Sequence, residues 1–576
     1  MELASDFPPS TRDDWRAMAL AVLRKSGADV ADPEAHLAVA TYDGVEVAPL
    51  YDAGDLAGAT GLRPGGRGWD VRQRHAVPDP EAVLGDLENG VTSLWLALAP
   101  QDLPAVLKDV YLDLAPVVLE AGERTGEAAE VLFGLAAERG VRLSGNLGAS
   151  GTAGGTPELA RRCLDEHPGL RAVVVDATPY HDQGAGDVEE LGCSLALGVA
   201  ALRALTEGGL SVSEALGQLE FRYAATAEQF ATIAKLRAAR RLWARVAQVC
   251  GGPGEQLQHA VTSSAMMTRR DPWVNMLRTT LACFGAGVGG ADSVTVQPFD
   301  AALGLPDGFS RRIARNTQVL LLEESSLGRV ADAAGGSWYV ERLTHELAVR
   351  GWEWFQEIER EGGIERAEPL VSDRIAGTRA RRDADVAHRR RPITGVSEFP
   401  DLAEKPVRAG SPGGSAGDPA GPIATGSPSA PRSAGVLRYA REFEALRDLA
   451  DAQPERPTVF LATLGPVAAH TARAAFAANL FAAGGIATTT SGPLLDPAGL
   501  AAAFTASGCA VACLCGTDKL YGEHAEAVAK ALREAGARRV WLAGKGGYEG
   551  VDATLHAGCD ALDVLRTTFD DLGVAR

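Results

Sequence analysis

The side chains in this sequence best suited to chemistry are histidines: His181 in DATPYHDQGAG, His259, His470 and His524. His181 follows the apolar run AVVVD, so it would stand at the end of a strand, where an imidazole can serve as acid or base. A hydrogen-bonded structural histidine is an equally open reading. No nearby Ser, Asp or Lys makes a persuasive nucleophile–base pair with it. His470 and His524 have no companions at metal-ligand spacing, so no metal site is expected. Cys509, Cys513 and Cys515 lie in GCAVACLCG. The last two would share one face of a strand, and although a metal pair is conceivable, free cysteines pack as small hydrophobes and buried thiols are the favoured reading. The glycines of AGKGGYEG (543–550) are not followed by Lys-Ser/Thr at the offset of a phosphate loop.

Composition narrows the classes. The chain has 576 residues and a net charge of −19, which disfavours general binding to phosphate backbones, so no nucleic acid partner is expected. No apolar run approaches about 18 residues, so no membrane span is expected. The start, MELASDFPPSTRDDW, is acidic and proline-broken, unlike a signal peptide, and a cytoplasmic location follows as an expectation. Eight cysteines do not suggest a disulfide framework.

The positions of these residues depend on the elements around them. Residues 405–435 are dominated by Gly, Pro, Ser and Ala and cannot bury enough apolar surface to offset ordering. The composition predicts a flexible linker over 401–454 that ends in a short helix within 437–452. Beyond it, strands at 458–463, 486–490, 510–515 and 539–543 alternate with helices such as 468–483 and 520–536. That pattern predicts a flavodoxin-like parallel sheet over 455–576. Over residues 90–400, eight strands are expected, at 93–98, 110–114, 142–146, 172–176, 219–223, 259–263, 293–296 and 329–332. Helices between them, clearest at 227–250, predict an α/β fold with an eight-stranded (β/α)8 TIM-type barrel. Residues 1–89 would form an N-terminal arm. Ligands would sit at the C-terminal ends of the strands in both domains.

Five segments carry a resemblance: IAKLRAARRLWARV (233–246), PYHDQGAG (179–186), RIARNTQVLLLEES (312–325), DAAGGSWYVERLT (332–344) and ITGVSEF (393–399). Together, and in this order, they resemble the cobalamin-dependent acyl-CoA mutases, above all the methylmalonyl-CoA mutase family. The resemblance implies a barrel that admits acyl-CoA along its axis, and a second domain of cobalamin-binding type. In active members, adenosylcobalamin lies between the two and interconverts methylmalonyl-CoA and succinyl-CoA.

The sequence departs from active members where the chemistry is done. Their Asp-x-His-x-x-Gly cobalt-ligand loop corresponds to LGPVAAHTARAA (464–475), where His470 stands one place late with Ala468 before it and Arg473 after it. A reactive-centre tyrosine corresponds to Arg74, a His-x-Gln-Thr becomes His259-Ala260-Val261-Thr262, and Leu-His-Thr-Asn becomes Val294-Thr295-Val296-Gln297. The first strand–helix loop is cut to APQDLP (99–104), and LGASGTAGGTP (147–157) offers no substrate-gripping arginine. Only His181 survives at a reactive-centre position. This pattern resembles the small, non-catalytic subunit of the heterodimeric bacterial enzyme. It implies a degenerate cobalamin domain, a vestigial His181, no cobalt ligation by His470, and adenosylcobalamin held by a large catalytic subunit as partner. A catalytic mutase with an atypical cobalamin site, or a stand-alone scaffold, remains the alternative. With Leu94, Trp95, Leu96 and Leu98 in SLWLAL, a bulky group must enter the barrel whichever face points inward.

Overall fold

The computed structural model describes residues 10–56, 68–304, 306–405, 407 and 435–574. Almost all of the linker read at 405–435 therefore lies outside the described residues.

Eight parallel strands close into a barrel: β1 (Asp70–His75), β2 (Ser93–Leu96), β3 (Val117–Leu119), β4 (Ser144–Ala149), β5 (Gly169–Asp176), β6 (Leu219–Ala225), β7 (Leu257–Thr262) and β8 (Ser293–Thr295), with β8 pairing back onto β1. Side chains alternate across each strand. Val71, Leu94, Leu96, Val117, Leu119, Val175, Phe221, Tyr223 and Val294 belong to the large core under the helix layer. Trp95, Val118 and Val261 form a small apolar cluster of their own, on the opposite face of their strands.

Three strand assignments differ from the sequence reading. The first strand is Asp70–His75, so the barrel begins inside the stretch read as an arm at 1–89. Residues 110–114 form a turn whose Tyr111 and Leu114 are 74% and 75% exposed, and the strand lies beyond Pro116. Residues 329–332 are turn rather than strand, because β1 already closes the ring. The helix Gln229–Cys250 falls where one is read at 227–250, but two of its basic residues do not face solvent. Lys235 and Arg237 are buried, paired with Glu190 and Glu341 at 2.6 and 2.5 Å.

Two long helices, Trp338–Arg360 and Glu368–Ala387, follow the barrel, and the first packs on helices Asp187–Glu207 and Gln229–Cys250. The arm crosses them: Tyr51 meets Tyr339 with ring centroids 5.2 Å apart, and the Tyr42 hydroxyl donates to Asp385 at 2.8 Å. No described residue of the arm helix Arg12–Lys25 is buried.

The second domain holds a parallel five-stranded sheet: β9 (Thr458–Thr463), β10 (Ala487–Thr490), β11 (Val511–Cys515), β12 (Arg539–Ala543) and β13 (Ala553–Leu555), in the order β10-β9-β11-β12-β13. Alternate residues feed two apolar layers, so helices cover both faces. Cys513 and Cys515 point into one layer beside Leu480 and Phe481 as free thiols.

Candidate functional site at the barrel mouth

The lumen holds charged and aromatic side chains. Arg72 of β1 pairs with Glu220 of β6, and both side chains are almost fully buried. Burial alone would raise the Glu220 carboxyl, but Arg72 more than offsets it and the group sits below its ordinary range. Trp95 of β2 stands between two guanidinium groups, with Arg222 4.1 Å and Arg74 5.1 Å from its ring centroid. Arg74 is held by both oxygens of Glu120, at 3.0 and 3.2 Å. Arg222 donates to Asp176 at 2.8 Å and to Nδ1 of His259 at 3.2 Å. His259 Nε2 is 2.8 Å from the Thr295 hydroxyl, and its ring meets Trp95 edge-on at 5.2 Å. Because Nδ1 accepts from an arginine, the imidazole is neutral with its proton on Nε2. Burial drives its pKa well down.

Asp176 ends β5 and shapes the next turn. Its Oδ1 accepts from the Thr178 amide and hydroxyl at 3.0 and 2.6 Å, starting the helix Thr178–Asp182 that carries His181. His181 Nε2 lies 2.7 Å from the Ser263 hydroxyl, while Nδ1 is 3.9 Å from Glu190. Burial, with Lys235 and Arg382 nearby, lowers the imidazole to about 3, so it is neutral. Glu190 accepts from the Ala224 amide at 2.7 Å and from Lys235 at 2.6 Å, and Lys235 also reaches Asp187 at 2.9 Å. Burial pushes Glu190 up to about 7 and Asp182 up to about 8. From the arm, Asp43 caps helix Asp187–Glu207 by accepting the Asp187 and Val188 amides at 3.2 and 2.9 Å. Gly186 makes this approach possible, since a Cβ there would lie 2.3 Å from Asp43 Oδ1.

The structure thus brings His181 and His259 to the upper barrel, each engaged by neighbouring side chains. His470 and His524 stand apart in the second domain. His470 lies in the first turn of helix Val467–Ala483, and its Nδ1 donates to the Gly465 carbonyl at 3.1 Å. Among the described residues the ring is oriented by this main-chain carbonyl and not by a carboxylate. In open parallel sheets a ligand sits where the strand order reverses, here between β9 and β11. Side chains of the helices that follow β9 and β11 meet beside these strand ends. The buried Tyr521 hydroxyl accepts from the Gly516 amide at 2.8 Å and lies 2.8 Å from the Ala543 carbonyl. The Arg473 guanidinium stacks 5.0 Å from the Tyr521 ring centroid and reaches Asp518 at 2.6 Å.

Sequence reasoning missed Ser263, Glu190, Lys235 and Arg382, all of which meet around His181. Lys235 gave no signal of its own, because in the sequence it reads as one of the basic side's residues, with Arg237, Arg240, Arg241 and Arg245.

A profile of the methylmalonyl-CoA mutase family matches residues 156–412. A protein of Streptomyces virginiae named methylmalonyl-CoA mutase small subunit is 53% identical, over 100% of this chain and 99% of its own length. The protein of the same name from Propionibacterium freudenreichii subsp. shermanii is 38% identical, over 100% and 97%. A Rhizobium meliloti protein named methylmalonyl-CoA mutase is 29% identical over 69% of this chain and 65% of its own.

Proposed function

The chain belongs to the methylmalonyl-CoA mutase family, and from that premise we propose that it is the small, structural subunit of a heterodimeric mutase interconverting methylmalonyl-CoA and succinyl-CoA. Chemistry resides in a larger homologous chain, which also holds adenosylcobalamin. The observation that carries this reading is the filled lumen. Trp95, between Arg74 and Arg222, occupies the volume an acyl-CoA would have to thread. The same reading makes His181 vestigial, because the nitrogen that would face a ligand is engaged with Ser263. His470 is then a structural histidine that ties its helix to the Gly465 turn.

The strand order β10-β9-β11-β12-β13 supports a flavodoxin-like second domain of degenerate cobalamin type. On this account the domains are an arm up to residue 69, a barrel with its two following helices from 70 to 400, and the second domain from 455. Eight free thiols fit a reducing compartment, which supports a cytoplasmic location.

A kept fold without a site makes sense if the fold supports the active chain. Two related barrels can pair by pseudo-twofold symmetry inherited from an ancestral homodimer. The arm helix Arg12–Lys25 is our candidate contact, because Trp15, Met18 and Val22 share one of its sides and Met18 and Val22 are 63% and 66% exposed. The test is to produce the large chain with and without this one. Low solubility and low turnover of the large chain alone, restored by the pair, are expected. A large chain that is equally soluble, monodisperse and active alone would sink the reading.

A further inference from the structure

The segment that re-enters after the linker does more than connect. The Leu437 amide donates to the Asp182 carbonyl at 2.8 Å, in the turn after β5. Two residues on, the Tyr439 amide donates to the Ala265 carbonyl at 2.9 Å, in the turn after β7. The segment therefore bridges two loops of the barrel mouth, directly beside His181 and Ser263. Arg382, on helix Glu368–Ala387, lies over both ends of this bridge. Its guanidinium is 5.2 Å from the Tyr439 ring and 5.0 Å from the Tyr42 ring of the arm, and it donates to the Gly184 carbonyl at 2.7 Å.

The contact continues along helix Arg441–Asp451. The buried Glu444 carboxylate accepts the Arg269 amide at 2.6 Å, and Arg270 pairs with Asp448 and Asp451 at 2.6 and 2.8 Å. Arg441 reaches Asp383. An apolar component lies beneath: Val386, Ala387 and Val396, from the end of the barrel unit, belong to the same core cluster as Phe443 of helix Arg441–Asp451 and Phe481 and Trp541 of the second domain.

We propose that segment 435–439, together with Arg382, is a clasp that seats the second domain on the barrel mouth through direct protein contact, so that the two units stay together without the covalent linker. The clasp also closes the mouth over His181 and Ser263. It does not depend on the mutase reading, because no partner or ligand enters the argument.

The test cuts the full chain. A recognition site for a specific protease is inserted between Gly413 and Gly414, cleavage is confirmed on a denaturing gel, and the product is run on a sizing column at micromolar concentration. One species containing both pieces is expected. Tyr439→Ala, which removes a partly buried ring that packs against the barrel core, should weaken that association roughly tenfold or more, the scale of losing a buried interface anchor. Arg382→Ala should do the same, while Arg382→Lys should show an intermediate loss because the ammonium cannot span both rings and the carbonyl. Separation of the cleaved, otherwise unchanged pieces would overturn the proposal. So would Tyr439→Ala pieces that hold as tightly as the unchanged ones.

Discussion

The guanidinium of Arg222 lies 4.1 Å from the centroid of the Trp95 ring, and both side chains are buried inside the barrel. A cation over an indole face is attractive, and desolvation strengthens the contact. Arg222 is also fixed by Asp176 and His259, so the stack is part of a connected network. Trp95→Ala would empty the centre of that network. Removing a large buried aromatic costs about 3–5 kcal/mol, to be read from chemical denaturation of the isolated chain. Leu114→Ala, at a 75% exposed position, should change stability by less than about 0.5 kcal/mol. Equal effects at the two positions would mean that the lumen is not packed as described.

The pair Arg72–Glu220 gives a second prediction. Removing one partner of a buried ion pair leaves an uncompensated charge and costs about 3–5 kcal/mol, whereas replacing both by apolar groups of similar size is often near neutral. Glu220→Leu should therefore be strongly destabilising, and the double variant Arg72→Met/Glu220→Leu should recover most of the loss. Additive losses in the double variant would contradict the pairing.

The pH dependence carries two signs. His181 is lowered from 6.5 to about 3 in the folded chain, chiefly by burial. Between those values the unfolded chain binds a proton that the folded one does not, so the stability present above about pH 6.5 is lost as pH falls toward 3. Asp182, raised from 3.8 to about 8, works in the opposite direction. The folded chain keeps a proton that the unfolded chain releases, so this contribution is lost as pH rises through that range. Urea midpoints across pH should show His181→Gln flattening the acid limb and Asp182→Asn flattening the alkaline one. Unchanged limbs in either variant would refute its assignment.

Which parts of this were legible follows from where the polar residues point. Strands β2 and β9 are apolar on both faces or nearly so, and β6 on its outer face, and they stand out in the sequence as SLWL, TVFLAT and LEFRYAA. Strand β1 reads DVRQRH, with two arginines that point into the lumen and bond to Glu220 and Glu120. Such a strand looks like surface chain, because the carboxylates that neutralise it are 46 and 148 residues away. The same distance hid Ser263 from His181, since their contact spans 82 residues. The run 110–114 misled in the opposite way. Its apolar letters satisfy a strand pattern, while Tyr111 and Leu114 remain on the surface.

The arm supplies a further prediction. Met18→Glu with Val22→Glu places two carboxylates on the exposed side of helix Arg12–Lys25. Neither position is buried within the chain, so its own stability should change by less than about 0.5 kcal/mol per site. Affinity for the large chain should fall at least tenfold, about 1.4 kcal/mol, in a titration of one chain with the other. Unchanged affinity would exclude this side of the helix from the interface.

The central claim is that this chain lends its fold and not a site. The most direct measurement is cobalamin stoichiometry by absorbance, on the isolated chain and on its complex with the large chain. The account predicts an unchanged adenosylcobalamin spectrum with this chain alone, one cobalamin per pair, and no loss of bound cofactor in a complex carrying His470→Ala. Two cobalamins per pair, or a base-off shift with tight binding to this chain alone, would contradict it.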